Sequence, residues 1–149
     1  MKMIRNHKIS GALCVALLLV AAACSKKADT GTTGTTGTAA LKVTDVSLGR
    51  AVGSDKAISD STTNFRPNDT IYASVATEGS AVSGTLRAKW SFEDGQTVEE
   101  STRTLVPNGP ERTEFHISKP NGWPAGKYRL EVFLNDQPAS AKSFEVKGQ

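Results

Sequence analysis

Residues 85–93, Thr85-Leu86-Arg87-Ala88-Lys89-Trp90-Ser91-Phe92-Glu93, decide the fold. Leu86, Ala88, Trp90 and Phe92 alternate with Arg87, Lys89, Ser91 and Glu93. Successive side chains of an extended backbone point to opposite faces, so this period of two predicts a strand with one dry and one wet face. Glu93-Asp94-Gly95-Gln96 follows it. Asp-Gly between two such runs predicts a tight hairpin turn.

The same grammar extends in both directions. Residues 96–106 predict a fourth strand, polar at its start as an edge strand is. Residues 70–77 predict a second, with Ile71, Ala73 and Val75 on one side. Residues 41–48 predict a first, with Thr44, Val46 and Leu48 sharing a face. The polar stretch 49–64 between these two reads as a long loop. Pro107-Asn108-Gly109-Pro110 breaks the fourth strand. The fifth runs 112–118 and turns Thr113, Phe115 and Ile117 inward. The sixth runs 127–135 and aligns Tyr128, Leu130, Val132 and Leu134. Asn135-Asp136-Gln137-Pro138 then turns into a seventh over 141–147, carrying Phe144 and Val146. Nothing after Cys24 carries a helical period. Seven short strands within residues 41–149 predict an all-β, two-layer sandwich in a single domain. That length is enough to bury a core of its own.

Upstream of this domain the composition changes. Ser25 to Ala40 reads SKKADTGTTGTTGTAA and has no large apolar residue. Such a segment cannot bury a core and reads as a flexible tether over 24–40. Its root-mean-square span is roughly 20–24 Å. Before it, Lys2, Arg5 and Lys8 precede an apolar run from Ile9 to Ala23, and Ala21-Ala22-Ala23 leads into Cys24. The run is short against the roughly 20 residues a spanning helix needs, and its three zones are those of an export signal.

Residues 1–25 resemble the signal peptide of bacterial lipoproteins. Ala21-Ala22-Ala23-Cys24 stands where that class has its lipobox, with Ala21 at a position where Leu is commoner. The resemblance implies cleavage before Cys24, removal of residues 1–23, and acylation of Cys24. Two or three acyl chains then hold the chain on a bilayer where one would not. Ser25, rather than Asp, follows the cysteine; in that class this implies the outer membrane, with the domain facing the periplasm or the cell surface. Processing also changes the charge argument. Three of the 18 basic residues leave with the leader, so 15 remain against 15 acidic ones, and the pI near 9.0 belongs largely to the leader. No clustered basic surface of the kind nucleic acid requires is left. Lys26 and Lys27, beside the acyl group, suit anionic headgroups or a simple solubilising flank.

Residues 41–149 resemble immunoglobulin-like and fibronectin type III sandwiches. Trp90 lies inward on the third strand, Tyr128 follows Ala125-Gly126-Lys127 as in a tyrosine corner, and Leu130 stands two residues later. Antibody domains carry a bridging cysteine at that last position. The resemblance makes Trp90, Tyr128 and Leu130 core residues, with an apolar contact from Ile71, Ala73 or Val75 in place of the disulfide.

Catalytic chemistry has little foothold. His116 is the sole histidine outside the leader, and Cys24 the sole cysteine. A zinc site wants three or four convergent ligands, so no metal or cofactor is expected. No Gly-x-Ser-x-Gly elbow is present. Glu93-Asp94 and Glu99-Glu100 are strand neighbours that point to opposite faces, not acid/base dyads. The expectation is a non-enzymatic module that binds a protein or another envelope component. If Tyr128 and Leu130 face inward, then Phe133, Arg129, Glu131, Arg87 and Lys89 share the outer face of adjacent strands, an aromatic ringed by charge. An alternative is a small-ligand or glycan site in the loops around Trp123 and 49–64. In that reading Trp123 is an exposed recognition residue; otherwise it plugs one end of the core.

Overall fold

The computed structural model describes residues 39–148. The leader, Cys24 and the tether as far as residue 38 lie outside the described residues. Nine strands follow: β1 (Lys42–Val52), β2 (Ile58–Ser61), β3 (Asn64–Phe65), β4 (Ile71–Glu78), β5 (Gly84–Phe92), β6 (Gln96–Leu105), β7 (Glu111–Ile117), β8 (Gly126–Leu134) and β9 (Gln137–Val146). They form two sheets, ordered β2-β1-β4-β7 and β3-β9-β8-β5-β6. The protein is an all-β immunoglobulin-like sandwich. β1, β4 and β7 form one layer and β5, β8 and β9 the other, as A, B, E and C, F, G do in such domains. β6 pairs with β5 and forms the edge of its sheet.

The core is the set of inward residues that the alternation supplies. Val46, Ile71, Val75 and Phe115 from one sheet meet Leu86, Trp90, Leu130 and Val132 from the other, all essentially without exposure. Burial of each such side chain contributes about 1.5–3 kcal/mol, which is how the domain folds without a crosslink. An aromatic cluster closes one end. Phe144 stacks on Tyr128 at 5.3 Å and meets Trp90 and Phe65 edge-on at 5.8 and 5.5 Å. The Tyr128 hydroxyl donates to the Pro124 carbonyl at 2.8 Å, which completes a tyrosine corner.

Three strand expectations need correction. Thr44 is exposed, because a bulge between Val43 and Asp45 resets the phase of β1. Val43 packs against the core instead. The seventh strand of the sequence reading begins at Gln137, not Ala141. Asn135 and Asp136 suffice for the turn, with φ of 51° and 63°, the left-handed pair of a two-residue hairpin. Pro138 enters the strand at a bulge opposite Phe133.

The third correction is larger. The stretch 49–64 is not one loop. It holds the end of β1, all of β2 and the start of β3. β1 and β2 form a hairpin arm, pairing Gly49 with Ser61 and Val52 with Ile58 through two register shifts. A straight strand rising about 3.3 Å per residue would carry Asp55 some 36 Å beyond Thr44. Instead Asp55 shares a cleft with Thr44, Ala76 and Arg112. The arm therefore folds back over the outer face of the four-stranded sheet. Gly49 permits this, since a Cβ there would strike Ile58 and the Asp60 carbonyl. Ser74 faces outward opposite Ser47 and Glu114, yet it has no exposed surface.

Candidate functional site

The outer face of the five-stranded sheet carries the candidate patch. β5 and β8 run antiparallel, with Arg87 opposite Phe133, Lys89 opposite Glu131 and Ser91 opposite Arg129. The residues between them, Ala88, Trp90, Leu130 and Val132, are the core. The pleat thus places all five patch residues on one face.

Their geometry is tighter than an aromatic in a charged surround. The Arg87 guanidinium carbon sits 4.0 Å from the Phe133 ring centre. Two carboxylates hold it there, Glu100 on β6 at 3.6 Å and Asp136 in the β8–β9 turn at 3.5 Å. Phe133 is consequently half-buried. Arg129 pairs with Glu131 on the same strand at 3.5 Å. Exposed ion pairs are each worth about 0–1 kcal/mol, and a cation over an exposed ring about 0.5–1 kcal/mol. The set organises the surface more than it stabilises the fold. The alternation does not by itself add Glu100 and Asp136 to the patch. Glu100 lies opposite Lys89 across the β5–β6 ladder, so the hairpin register carried a signal for it. Asp136 depends on the turn geometry, since the two-residue turn at Asn135 and Asp136 lies one residue earlier than the expected Asn135–Pro138.

Past Arg129 the face becomes a shallow trough lined by Asn64, Glu93, Lys127, Arg129, Ser143 and Glu145. Small residues on β9 create the recess: Ser143 stands opposite Arg129 and Ala141 opposite Glu131. The face mixes both signs of charge along its length.

Trp123 is not an exposed recognition residue. It is 7% exposed, its backbone N–H donates to the Pro67 carbonyl at 2.7 Å, and its indole N–H donates to the Asp69 carbonyl at 3.2 Å. Its ring meets Tyr128 edge-on at 6.1 Å. A large apolar ring beside a tyrosine corner gains more by covering the core than by facing water. With the 49–64 stretch folded into an arm, neither half of the alternative loop site keeps the form the sequence suggested.

The remaining chemistry-bearing groups are dispersed. His116 Nδ1 lies 2.7 Å from Glu114 Oε1 on the outer face of β7, beside the Tyr72 ring. Among the described residues no three His, Cys, Asp or Glu side chains converge as metal ligands would. The Tyr128 phenol is raised above its ordinary value, first by burial and then by the negative charge of Glu93.

No protein-family model matches the chain, and no curated protein matches it in sequence. Solved structures resemble it in fold. An immunoglobulin-like protein from Pseudomonas aeruginosa is 19% identical with a TM-score of 0.49, over 74% of this chain and 99% of that one. A CARDB domain from Pyrococcus furiosus, in complex with di-metal ions, is 12% identical with a TM-score of 0.42, over 74% of this chain and 88% of that one. A β-glucosidase from Listeria innocua is 8% identical with a TM-score of 0.48, over 73% of this chain and 16% of that enzyme.

Proposed function

We propose that this protein is a membrane-anchored bacterial lipoprotein whose sandwich is a non-enzymatic interaction module. In this reading the chain is cut before Cys24, Cys24 carries the acyl chains, and residues 24–40 tether the domain at the outer membrane. The partner is a protein or another component of the envelope, bound on the outer face of the five-stranded sheet.

One observation carries the choice of face. The outer face of the other sheet is occupied by the chain's own hairpin arm. The five-stranded face has no such cover among the described residues, and it presents an arginine already seated on Phe133. A side chain held in its binding geometry loses less freedom on association, which favours affinity. Aromatic and arginine residues are also the usual anchors of interface centres. The balance of charge suits a mixed-sign polypeptide surface better than a polyanion.

Two experiments test this reading. A photo-crosslinker placed at Arg129 or Glu131 in intact cells is expected to trap one discrete partner. Phe133→Ala is expected to abolish that product while the domain stays folded, because Phe133 is only half-buried. An undiminished product would remove this face from consideration. Separately, a clickable fatty acid is expected to label the wild type and not Cys24→Ala. Label that survives the substitution refutes acylation at that residue.

A further inference from the structure

Among the described residues, the two large apolar side chains most exposed to solvent lie together at one end of the domain. Val82 is 95% exposed and Val106 is 77% exposed. Val82 belongs to the loop between β4 and β5, and Val106 to the segment between β6 and β7. The two segments are laced as a short antiparallel ladder. Ser80 bridges Asn108, the Ala81 N–H donates to the Pro107 carbonyl at 3.3 Å, and the Gly109 N–H donates to the Gly79 carbonyl at 3.0 Å. Beyond that bridge the next pair is Gly84 with Leu105, so Val82 and Val106 both lie in the short unpaired stretch between the two. The two valines therefore project from neighbouring segments, each open to solvent.

The chain enters the domain beside the same ladder. The Ser80 N–H donates to the Ala39 carbonyl at 2.9 Å. Gly79, at a φ of 107°, gives the Ala39 and Ala40 carbonyls room that a Cβ would fill. Leu41 lies against Gly84. The end bearing the valines is therefore the end that leads to Cys24, only 15 residues before Ala39. Two charge pairs lie on this end, Lys42 with Glu78 at 3.4 Å and Asp136 with Arg87 at 3.5 Å, while the exposed Glu111 at the start of β7 has no ion-pair partner among the described residues.

We infer that this end docks on the lipid surface, with Val82 and Val106 dipping into the headgroup–acyl boundary. The inference rests on the anchored reading above and adds an orientation to it. Two valines bind a bilayer weakly on their own. A tether of this length places them at an effective concentration of about millimolar, which turns a weak contact into a populated one. Once docked, the domain stands with its long axis away from the membrane and its five-stranded face open to the side.

The test uses residues 24–149 with Cys24, the sole cysteine of that chain, joined to a maleimide phospholipid in phosphatidylcholine nanodiscs. A fraction of the lipids carries a paramagnetic headgroup, and amide relaxation is measured by NMR. Burying one valine shifts partitioning by about tenfold or more. The double variant V82D/V106D is accordingly expected to lower the relaxation enhancement at residues 79–83 and 106–109 by at least about threefold. Both positions are exposed, so the variant keeps its fold, as its undisturbed core chemical shifts would show. Equal enhancement in wild type and variant overturns the inference, because the domain then tumbles freely on its tether. Enhancement centred on the Phe133 face also overturns it. A wild-type dimer that the double variant abolishes assigns the valines to self-association and overturns it too. The lipid link is made chemically, so absence of acylation in cells shows in the fatty-acid assay and leaves this result standing.

Discussion

Replacing Tyr128 by Phe removes one oxygen and leaves the ring. In the structure that oxygen donates to the Pro124 carbonyl at 2.8 Å, and the residue is 3% exposed. The apolar burial and the stacking on Phe144 survive the change, so the loss is the hydrogen bond alone. A buried bond of this kind is worth about 0.5–1.5 kcal/mol net. Pro124 is itself exposed, so its carbonyl can turn to water and the penalty for an orphaned acceptor is avoided. The expected loss is about 1 kcal/mol, or roughly 4–8 °C in Tm for a domain of this size. The alkaline limb gives a second check. The phenol is raised above its ordinary value by burial and by Glu93, so the folded state holds that proton more tightly than the unfolded state does. Its contribution is complete below pH ~10 and declines as pH rises from there through the folded-state value. The Tyr128→Phe variant has no such group. The stability gap between the two proteins should hold steady from neutral pH to about pH 9 and narrow above pH 10. Guanidinium titrations followed by tryptophan fluorescence across that range measure it. A gap below about 0.3 kcal/mol at neutral pH, or one that widens with alkali, would refute the reasoning.

Other substitutions probe other parts of the argument. The Trp90 indole N–H is fully buried without a partner, so Trp90→Phe removes a desolvated donor as well as volume. Its cost should stay under about 1.5 kcal/mol by denaturation, against about 3–5 kcal/mol for Trp90→Ala. Gly49→Val should lift the hairpin arm, because the new side chain meets Ile58 and the Asp60 carbonyl. Faster proteolysis within residues 50–60 and a loss of about 1–3 kcal/mol would register it, while an unchanged digestion pattern would place the arm elsewhere.

The parts of the fold that could be read in advance are those in which one strand carries its own information. β5 as far as Trp90 and β8 as far as Val132 alternate because each packs one face on the core and turns the other outward; past Trp90 a bulge leaves Ser91 buried and Phe92 half-buried. β4 reads nearly as well, since Ile71, Ala73 and Val75 are fully buried. What escaped depends on partners distant in sequence. β3 is two residues long and exists by parallel pairing with β9, about 80 positions away. The bulge at Val43 and Asp45 resets β1, and its mark is the switch from Leu41 and Val43 to Val46 and Leu48, which a strict alternation over Thr44, Val46 and Leu48 passes over. The arm escaped because its apolar residues, Val52, Ala57 and Ile58, are few and only half-buried. They rest on a sheet face instead of entering the core. For the candidate patch, alternation alone placed Arg87, Lys89, Arg129, Glu131 and Phe133 on one face. The seating of Arg87 on the ring needed Asp136, whose position follows from a turn.

The two outer faces of the sandwich are built by opposite rules, and the difference bears on how the protein binds. Where the arm lies, the sheet offers Gly49, Ser74 and Ala76, residues small enough for a second layer of backbone to approach. On the other sheet, β5 and β8 raise long side chains, each set against an opposite charge: Lys89 faces Glu100 and Glu131, and Arg87 reaches Glu100 and Asp136. Such a face is self-compensated and gives little long-range pull. A partner's on-rate should therefore depend only weakly on salt. Its affinity must come from displacing or sharing those local pairs around a ring that is already capped. On such a face, recognition would rest on shape and register along two strands.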